Sequence, residues 1–228
     1  MTTEPLTTEQ LLQRIDAIIE EKSLLKHPFY QKWNEGTLTI DMLRGYAKQY
    51  YHQVLAFPTF VSGVHVNGDN VADRQIILEN LVEEEQGDDN HPELWLRFSD
   101  ALGLDRGEVM GSEAFPETTE MIDTYRNVTK DASFTEGLTA LYAYESQTPA
   151  VSDTKIDGLK KFYGIDDRRG LQFFLVHSSI DIEHSDVTRK LVAKHAGEDV
   201  NQEKALVAAE RSADALWTFL DGVYERYC

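Results

Sequence analysis

The segment QFFLVHSSIDIEHS, residues 172–185, carries the pattern that decides the fold. Drawn as a helix, it is apolar on most sides, which is typical of a helix buried in a core. His177, Asp181 and His184 lie within about 60° of one another on that helix, because each residue turns it by roughly 100°. Burying such a polar strip is costly unless its groups are paired or bind a metal. The pattern therefore favours a metal-binding core helix, with hydrogen-bonded core residues as the alternative.

Helical spacing of apolar residues extends over most of the chain. Thr7 with Gln10 and Ser133 with Glu136 have the spacing of capping boxes, which begin helices. No segment alternates apolar and polar residues between turn signals, so we expect no sheet. Further helical segments are predicted at about 39–66 with a kink at Pro58, 70–87, 90–103, 116–131, 133–162 with a kink near Pro149, 166–196 and 199–227. The sequence predicts one all-α domain, residues 1–228, with seven or more helices.

The chain is strongly acidic. Its 40 Asp and Glu residues outnumber its 22 Lys and Arg residues and give a formal net charge of −18. Phosphate binding needs clustered basic residues, so we expect neither nucleic acid nor an anionic membrane as a partner. The single cysteine, Cys228, allows no disulfide within the chain and no cysteine-based zinc or iron–sulfur site. The N-terminus lacks the basic start and apolar block of a signal peptide, and we predict a cytoplasmic protein.

A second polar pattern lies in ENLVEEEQGDDNHPELW, residues 79–95. Glu84, Asp88 and His91 repeat the spacing of the first pattern, although most runs of acidic residues are solvated faces. Pro92 disfavours helical geometry at the residue before it, so His91 is predicted at a helix end. We expect Glu84 and His91 to be metal ligands. For Asp88 we leave open whether it orients a ligand imidazole or faces solvent.

Glu145 completes the candidate ligands. It shares a helical face with Leu138 and Leu141, which predicts that it points inward. Two divalent ions would nearly balance three carboxylates, and mixed carboxylate and imidazole ligands on facing helices suit iron or manganese. We therefore predict an Fe/Fe or Fe/Mn pair with open positions for dioxygen. The predicted ligands are Glu84, His91, Glu145, His177, Asp181 and His184.

These motifs, in this order, resemble those of a known family. They are HPFYQKW at 27–33, Glu84 with His91, YAYE at 142–145 and HxxxDxxH at 177–184. Together they resemble the haem-oxygenase-like di-metal oxidases, most closely the branch that contains the Chlamydia protein associating with death domains. The resemblance covers about residues 10–225. It implies a compact seven-helix bundle with metals held between helices; we do not expect the death-domain partnership here.

The resemblance also implies an unusual reaction. Members of that branch are implicated in making p-aminobenzoate, a folate precursor, from a tyrosine side chain of the enzyme itself. By matching position, Tyr30 would supply the ring, Lys155 the amine, and Tyr144 could relay an electron. Dioxygen and an external reductant would be co-substrates, the electron donor being unknown, and a homodimer is compatible with the fold. From residue chemistry alone, Tyr30 could equally belong to an aromatic cluster and Lys155 to the surface.

Two other functions stay open at this point. The first is an oxidase of the same fold with an external substrate, similar to pyrroloquinoline-quinone synthase. A thiaminase-like hydrolase would need a nucleophilic cysteine, for which Cys228 at the chain end is a poor candidate. The second is a non-enzymatic helical interaction module whose buried acids and histidines are structural.

Overall fold

Helices make up almost the whole fold in the computed structural model, which describes residues 5–197 and 199–228. In these ranges they are α1 Thr8–Glu21, α2 Pro28–Glu35, α3 Ile40–Asn67, α4 Val71–Glu85, α5 His91–Ala101, α6 Arg106–Met110, α7 Pro116–Arg126, α8 Phe134–Glu145, α9 Thr148–Phe162, α10 Arg168–His195 and α11 Asp199–Tyr227. A 3-10 turn, Leu24–Lys26, precedes α2. No strand occurs in the described ranges, and the predicted all-α class is confirmed. None of the helices described there has the length and apolar character needed to cross a membrane.

The predicted capping boxes begin α1 and α8. The hydroxyls of Thr7 and Ser133 each accept a hydrogen bond from the backbone N–H three residues on. The side chains of Gln10 and Glu136 in turn accept from the backbone N–H of the capping residue. Each cap contributes about 1 kcal/mol by satisfying N–H groups that have no partner within the helix.

Two predicted helical segments are interrupted, one of them near the predicted kink at Pro149. The segment 133–162 forms two helices, because Pro149 has no backbone N–H and therefore fits the first turn of α9 rather than a helix interior. The segment 116–131 leaves α-helical geometry after Arg126 and continues as a π-helical turn, Asn127–Asp131. There the hydroxyl of Thr129 donates to the carbonyl of Tyr125, which competes with the backbone pattern.

The packing places α10 among α4, α5, α8 and α9. Helix α11 packs against α1, α7 and α8, and α3 packs against α4, α5, α7 and α8. Inward-facing polar residues on α4, α5, α8 and α10 consequently share one interior region.

Helices α2 and α9 approach each other closely at Gly158. A Cβ atom at this position would lie 2.5 Å from Nε1 of Trp33, so any larger residue would push the two helices apart. The close approach brings α2, which carries Tyr30, next to α9, which carries Lys155.

Candidate active site

Three of the predicted ligands converge in the interior. Glu84, His91 and His177 are all buried, and one potential ligand atom from each lies within 4.8 Å of those of the other two. They come from the last turn of α4, the first residue of α5 and the middle of α10. Glu84 and His91 therefore do not share one helical face, although their spacing would allow it. Helix α4 ends at Glu85, and Pro92 fits the first turn of α5.

The donor atoms of this triad face one another without bonding. His91 Nδ1 lies 2.6 Å from Oε2 of Glu84 but makes no hydrogen bond. The orientation of the His177 imidazole is fixed, because its Nδ1 donates a hydrogen bond to the carbonyl of Phe173 at 2.7 Å. Its Nε2 is therefore left with a free lone pair. Two imidazoles and one carboxylate with open positions are a typical ligand set for non-haem iron.

The other three predicted ligands lie next to the triad on α8 and α10. Glu145 is buried, and its two oxygens accept from Nδ2 of Asn80 at 2.6 Å and from the hydroxyl of Thr188 at 3.2 Å. Asp181 is also buried, and its Oδ2 has no hydrogen-bond partner. The His184 ring lies between Glu83 and Asp181. Within the described residues, Glu145, Asp181 and His184 do not form a second group as compact as the first.

Burial dominates the charge states of the site. It raises the pKa of Glu84 and of Glu145 to about 8 and lowers the pKa of His91 and of His177 to about 4. Burial also lowers the pKa of His184, but the nearby carboxylates of Asp181, Glu145 and Glu83 outweigh it and raise the value to about 9. Because burial disfavours the ionised forms of Glu84 and Glu145, the region is suited to a cation that compensates these carboxylates.

The residues present therefore fit bound metal ions. Three buried atoms of the predicted ligands lack any hydrogen-bond partner: His91 Nδ1, Asp181 Oδ2 and His184 Nδ1. Leaving such atoms unpaired costs about 1–3 kcal/mol each, and a metal would supply the missing partner.

Sequence analysis did not identify several residues that hold the ligands. Asn80 and Thr188 hydrogen-bond Glu145, and Glu83 lies 2.8 Å from His184. A signal for two of them exists, because Asn80 precedes Glu84 by one helical turn and Thr188 follows His184 by one. Asp88, by contrast, is exposed on the turn between α4 and α5.

Tyr30 and Lys155 lie together in a second buried cluster. Lys155 is only 3% exposed, so the alternative of a surface lysine is wrong. Its Nζ donates to the hydroxyl of Tyr46 at 2.7 Å and lies 5.6 Å from the ring centre of Tyr30. The hydroxyl groups of Tyr30 and Tyr46 are 3.5 Å apart. The amine and the phenol are thus near neighbours inside the protein.

Burial alters the proton affinity of both groups. It lowers the pKa of the Lys155 amine to about 7, because no carboxylate compensates the charge there. It raises the pKa of the Tyr30 phenol, which therefore stays protonated at neutral pH. Near neutrality the cluster contains a phenol and an amine that is in large part uncharged.

A line of tyrosines connects this cluster with the metal ligands. Tyr144 precedes Glu145 in α8, and its hydroxyl lies 2.5 Å from that of Tyr50. The ring of Tyr50 is 5.3 Å from that of Tyr46, which contacts Tyr30. Tyr46 and Tyr50 were not predicted, although their spacing of four residues places both on one face of α3.

Little free space remains between these side chains. Lys155, Tyr30, Tyr50 and Tyr144 border a cavity of about 20 Å³, which is room for one water molecule. Its other walls are apolar or small side chains: Leu24, Thr148, Val151, Ser152, Phe173, Leu216, Phe219 and Leu220.

Comparison with known proteins agrees with a metal-dependent redox site. The sequence model of the iron-containing redox enzyme family matches residues 44–217. The chain belongs to this family. Its membership confirms the predicted family and an oxidase-type enzyme, and it contradicts the alternative of a non-enzymatic module.

Two known proteins are similar to this chain over nearly its whole length. The 4-aminobenzoate synthase of Nitrosomonas europaea is 43% identical, and the match covers 98% of this chain and 94% of that protein. The 4-aminobenzoate synthase of Chlamydia pneumoniae is 37% identical over 92% of each chain. A Shewanella denitrificans domain described as having a heme oxygenase-like fold superimposes with a TM-score of 0.81 at 18% identity, covering 97% of this chain and 94% of that one. The predicted haem-oxygenase-like fold is confirmed.

Proposed function

We propose that this protein is a 4-aminobenzoate synthase that uses its own Tyr30 as the source of the ring and Lys155 as the source of the amine. Dioxygen would be the oxidant, and an external reductant would supply electrons. The observation that carries this proposal is the buried contact of Lys155 with the Tyr30–Tyr46 pair, at the end of a line of tyrosines that begins beside the metal ligands.

The lack of space favours an internal ring donor. An external aromatic substrate would need a cavity many times larger than the 20 Å³ next to Lys155. Tyr30 already places a phenol at this position, with 2% of its surface exposed. The alternative of an oxidase acting on an external substrate therefore has less support.

The surroundings of Lys155 favour an amine that reacts. An amine is a nucleophile only when it is neutral, and an ordinary lysine is almost fully charged at pH 7. With a pKa of about 7, roughly half of the Lys155 amine is neutral at that pH. The hydroxyl of Tyr46 holds Nζ of Lys155 at 5.6 Å from the centre of the Tyr30 ring.

Two ions would bind in two neighbouring ligand sets. Glu84, His91 and His177 would hold one ion, and Glu145, Asp181 and His184 the other. Bound iron or manganese would supply the capacity to activate dioxygen. We propose an Fe/Fe or Fe/Mn pair.

The line of tyrosines would carry oxidising equivalents from the metal centre towards Tyr30. A phenol loses a hydrogen atom, its electron and proton together, when it is oxidised to a neutral radical. The hydroxyls of Tyr144 and Tyr50 are 2.5 Å apart, so a Tyr144 radical would take the hydrogen atom of Tyr50, which restores the first phenol and leaves the radical on the second. The contact between Tyr46 and Tyr30 extends the line to the proposed ring donor.

We further propose that the protein acts in the cytoplasm without nucleic acid or membrane as a partner. The net charge of −18 supports this, since both of those surfaces are anionic. A separate electron donor and a homodimer are parts of the same proposal.

Intact-mass measurement tests the self-consuming reaction. Protein loaded with iron or manganese is incubated with air and a reductant, and peptides covering Tyr30 and Lys155 are then mapped. We expect a mass loss at residue 30 that requires both oxygen and reductant. Formation of 4-aminobenzoate from protein in which Tyr30 remains intact would contradict the proposal.

A further inference from the structure

His184 has two very different ring nitrogens. Nε2 lies 2.8 Å from Oε2 of Glu83, on the outer side of α10. Nδ1 faces inward, is buried without a hydrogen-bond partner, and lies 3.7 Å from Oδ1 of Asp181. An ionised carboxylate only accepts hydrogen bonds, so a neutral imidazole here carries its proton on Nε2 and its lone pair on Nδ1.

We infer that Glu83 is a positioning residue for the metal centre. It fixes the proton of His184 on Nε2 and makes Nδ1 the atom that binds an ion beside Asp181. This inference rests on the proposed pair of ligand sets and assigns a role to a residue outside both. A carboxylate behind a ligating imidazole is a common arrangement, which orients the ring and raises its basicity.

The three consecutive glutamates of α4 serve different purposes in this arrangement. Successive helical residues point in directions about 100° apart. Glu84 is buried in the triad, Glu83 borders the cleft between α4 and α10 that reaches His184, and Glu85 is exposed. One turn of α4 thus supplies a ligand to one set and supports a ligand of the other.

Helix α4 has another contact with the second ligand set, which consists of Glu145, Asp181 and His184. Asn80, one turn before Glu84, donates to Glu145 at 2.6 Å and also borders the cleft. Both contacts orient ligands on α8 and α10, so the end of α4 keeps the second set in register with the first.

Metal titration of substituted proteins tests the role of Glu83. Iron(II) or cobalt(II) alone is titrated anaerobically into the full chain, and the number and affinity of bound ions are measured by calorimetry and elemental analysis. In Glu83→Ala we expect one of the two ions to bind roughly 10- to 100-fold more weakly, with the other unchanged. Glu83→Gln keeps an oxygen that accepts from Nε2 and should retain most of the affinity.

Glu85→Ala is the matched control. It removes the same charge from the same helical turn but no contact with His184, so its metal binding should equal that of the wild type. The Glu83 side chain is 45% exposed, so Glu83→Ala should fold normally, which circular dichroism verifies. Equal affinities for both ions in Glu83→Ala and Glu85→Ala would overturn the inference.

A spectroscopic signal separates positioning from a general charge effect. In the cobalt(II)-loaded protein the Nε2–H proton of a ligating His184 should give a paramagnetically shifted, exchangeable resonance. We expect faster exchange of this proton with water in Glu83→Ala, but not in Glu85→Ala. These measurements need no product, so failure of 4-aminobenzoate formation would contradict the proposed function and leave the inference about Glu83 testable.

Discussion

The amine of Lys155 lies 2.7 Å from the hydroxyl of Tyr46, although 109 residues separate the two in sequence. The contact joins α9 to α3 in the middle of the aromatic core and brings Nζ within 5.6 Å of the Tyr30 ring centre. A lysine in such a place costs free energy unless it is neutral. The cost is consistent with a chemical role for Lys155.

Tyr30→Phe should fold normally and form no 4-aminobenzoate. The lost hydroxyl has one contact, at the long distance of 3.5 Å, so we expect a change in unfolding free energy of about 1 kcal/mol or less. Product is measured by mass spectrometry after aerobic incubation with metal and reductant. Tyr163→Phe is the control. Tyr163, like Tyr30, packs near Trp33, but it lies outside the cluster around Lys155, so this variant should give normal product. Normal product from Tyr30→Phe would assign the ring to another source.

Lys155→Met should abolish product while both metal ions still bind. Methionine is similar in length and apolar, so it suits the buried site and removes only the amine. Lys155→Arg should also abolish product but should lower the melting temperature, because a guanidinium stays charged in a place without a carboxylate partner. Lys160→Arg and Lys161→Arg, both exposed, should behave like the wild type. Product from Lys155→Met would remove this residue from the reaction.

The rate of product formation should rise with pH through about 7. The reactive form of Lys155 is the deprotonated amine, and its pKa is about 7 because of burial. The rate is followed in single-turnover experiments between pH 6 and about 8.5 with the metal content checked at each pH. We expect the rate to level off above about pH 7. A rate that keeps rising about tenfold per pH unit up to about pH 8.5, as an ordinary lysine pKa of about 10.4 requires, would contradict a depressed pKa.

Stability should depend on pH through the same residue. The folded protein releases the Lys155 proton at about pH 7, whereas the unfolded chain keeps it until an ordinary lysine titrates. The unfolded state therefore binds more protons between these values, and the free energy of unfolding contributed by this residue increases with pH in that window. From pH 7 to about 10, the urea midpoint of the wild type should therefore rise relative to that of Lys155→Met. A constant difference would show an unperturbed lysine.

His177→Ala should lose the ion held by the buried triad. Removing one of three ligands leaves Glu84 and His91 unable to complete the set, and oxygen-dependent product should disappear. His65→Ala, on α3 away from the site, controls for the loss of an imidazole. Elemental analysis gives the metal content of each variant, and equal content would exclude His177 as a ligand.

The sequence made some of these features predictable and hid others. The polar strip on α10 is visible because apolar residues surround it and because the helix repeats regularly. The break between Glu84 and His91 was indicated by Pro92 alone, and its position depends on how α5 packs. Helices with strong local sequence patterns are therefore predictable from the sequence alone.

Contacts between distant elements could not be read from the sequence in this way. Lys155 is followed on α9 by the exposed Lys160 and Lys161, and nothing in its neighbourhood distinguishes it as buried. Its amine is enclosed by side chains from distant elements, among them Tyr46 of α3 and Tyr30 of α2. Glu83 likewise acquires its role only because α10 places His184 beside it.

The most direct measurement is the mass of the product from doubly labelled protein. Protein is made with ring-¹³C tyrosine and with lysine carrying ¹⁵N only at the side-chain nitrogen, then loaded with metal and exposed to air and an unlabelled reductant. If Tyr30 and Lys155 are consumed, the 4-aminobenzoate carries both the ¹³C ring and the ¹⁵N amine, and neither label appears in product from Tyr30→Phe. Unlabelled 4-aminobenzoate formed by the labelled wild-type protein would contradict the account.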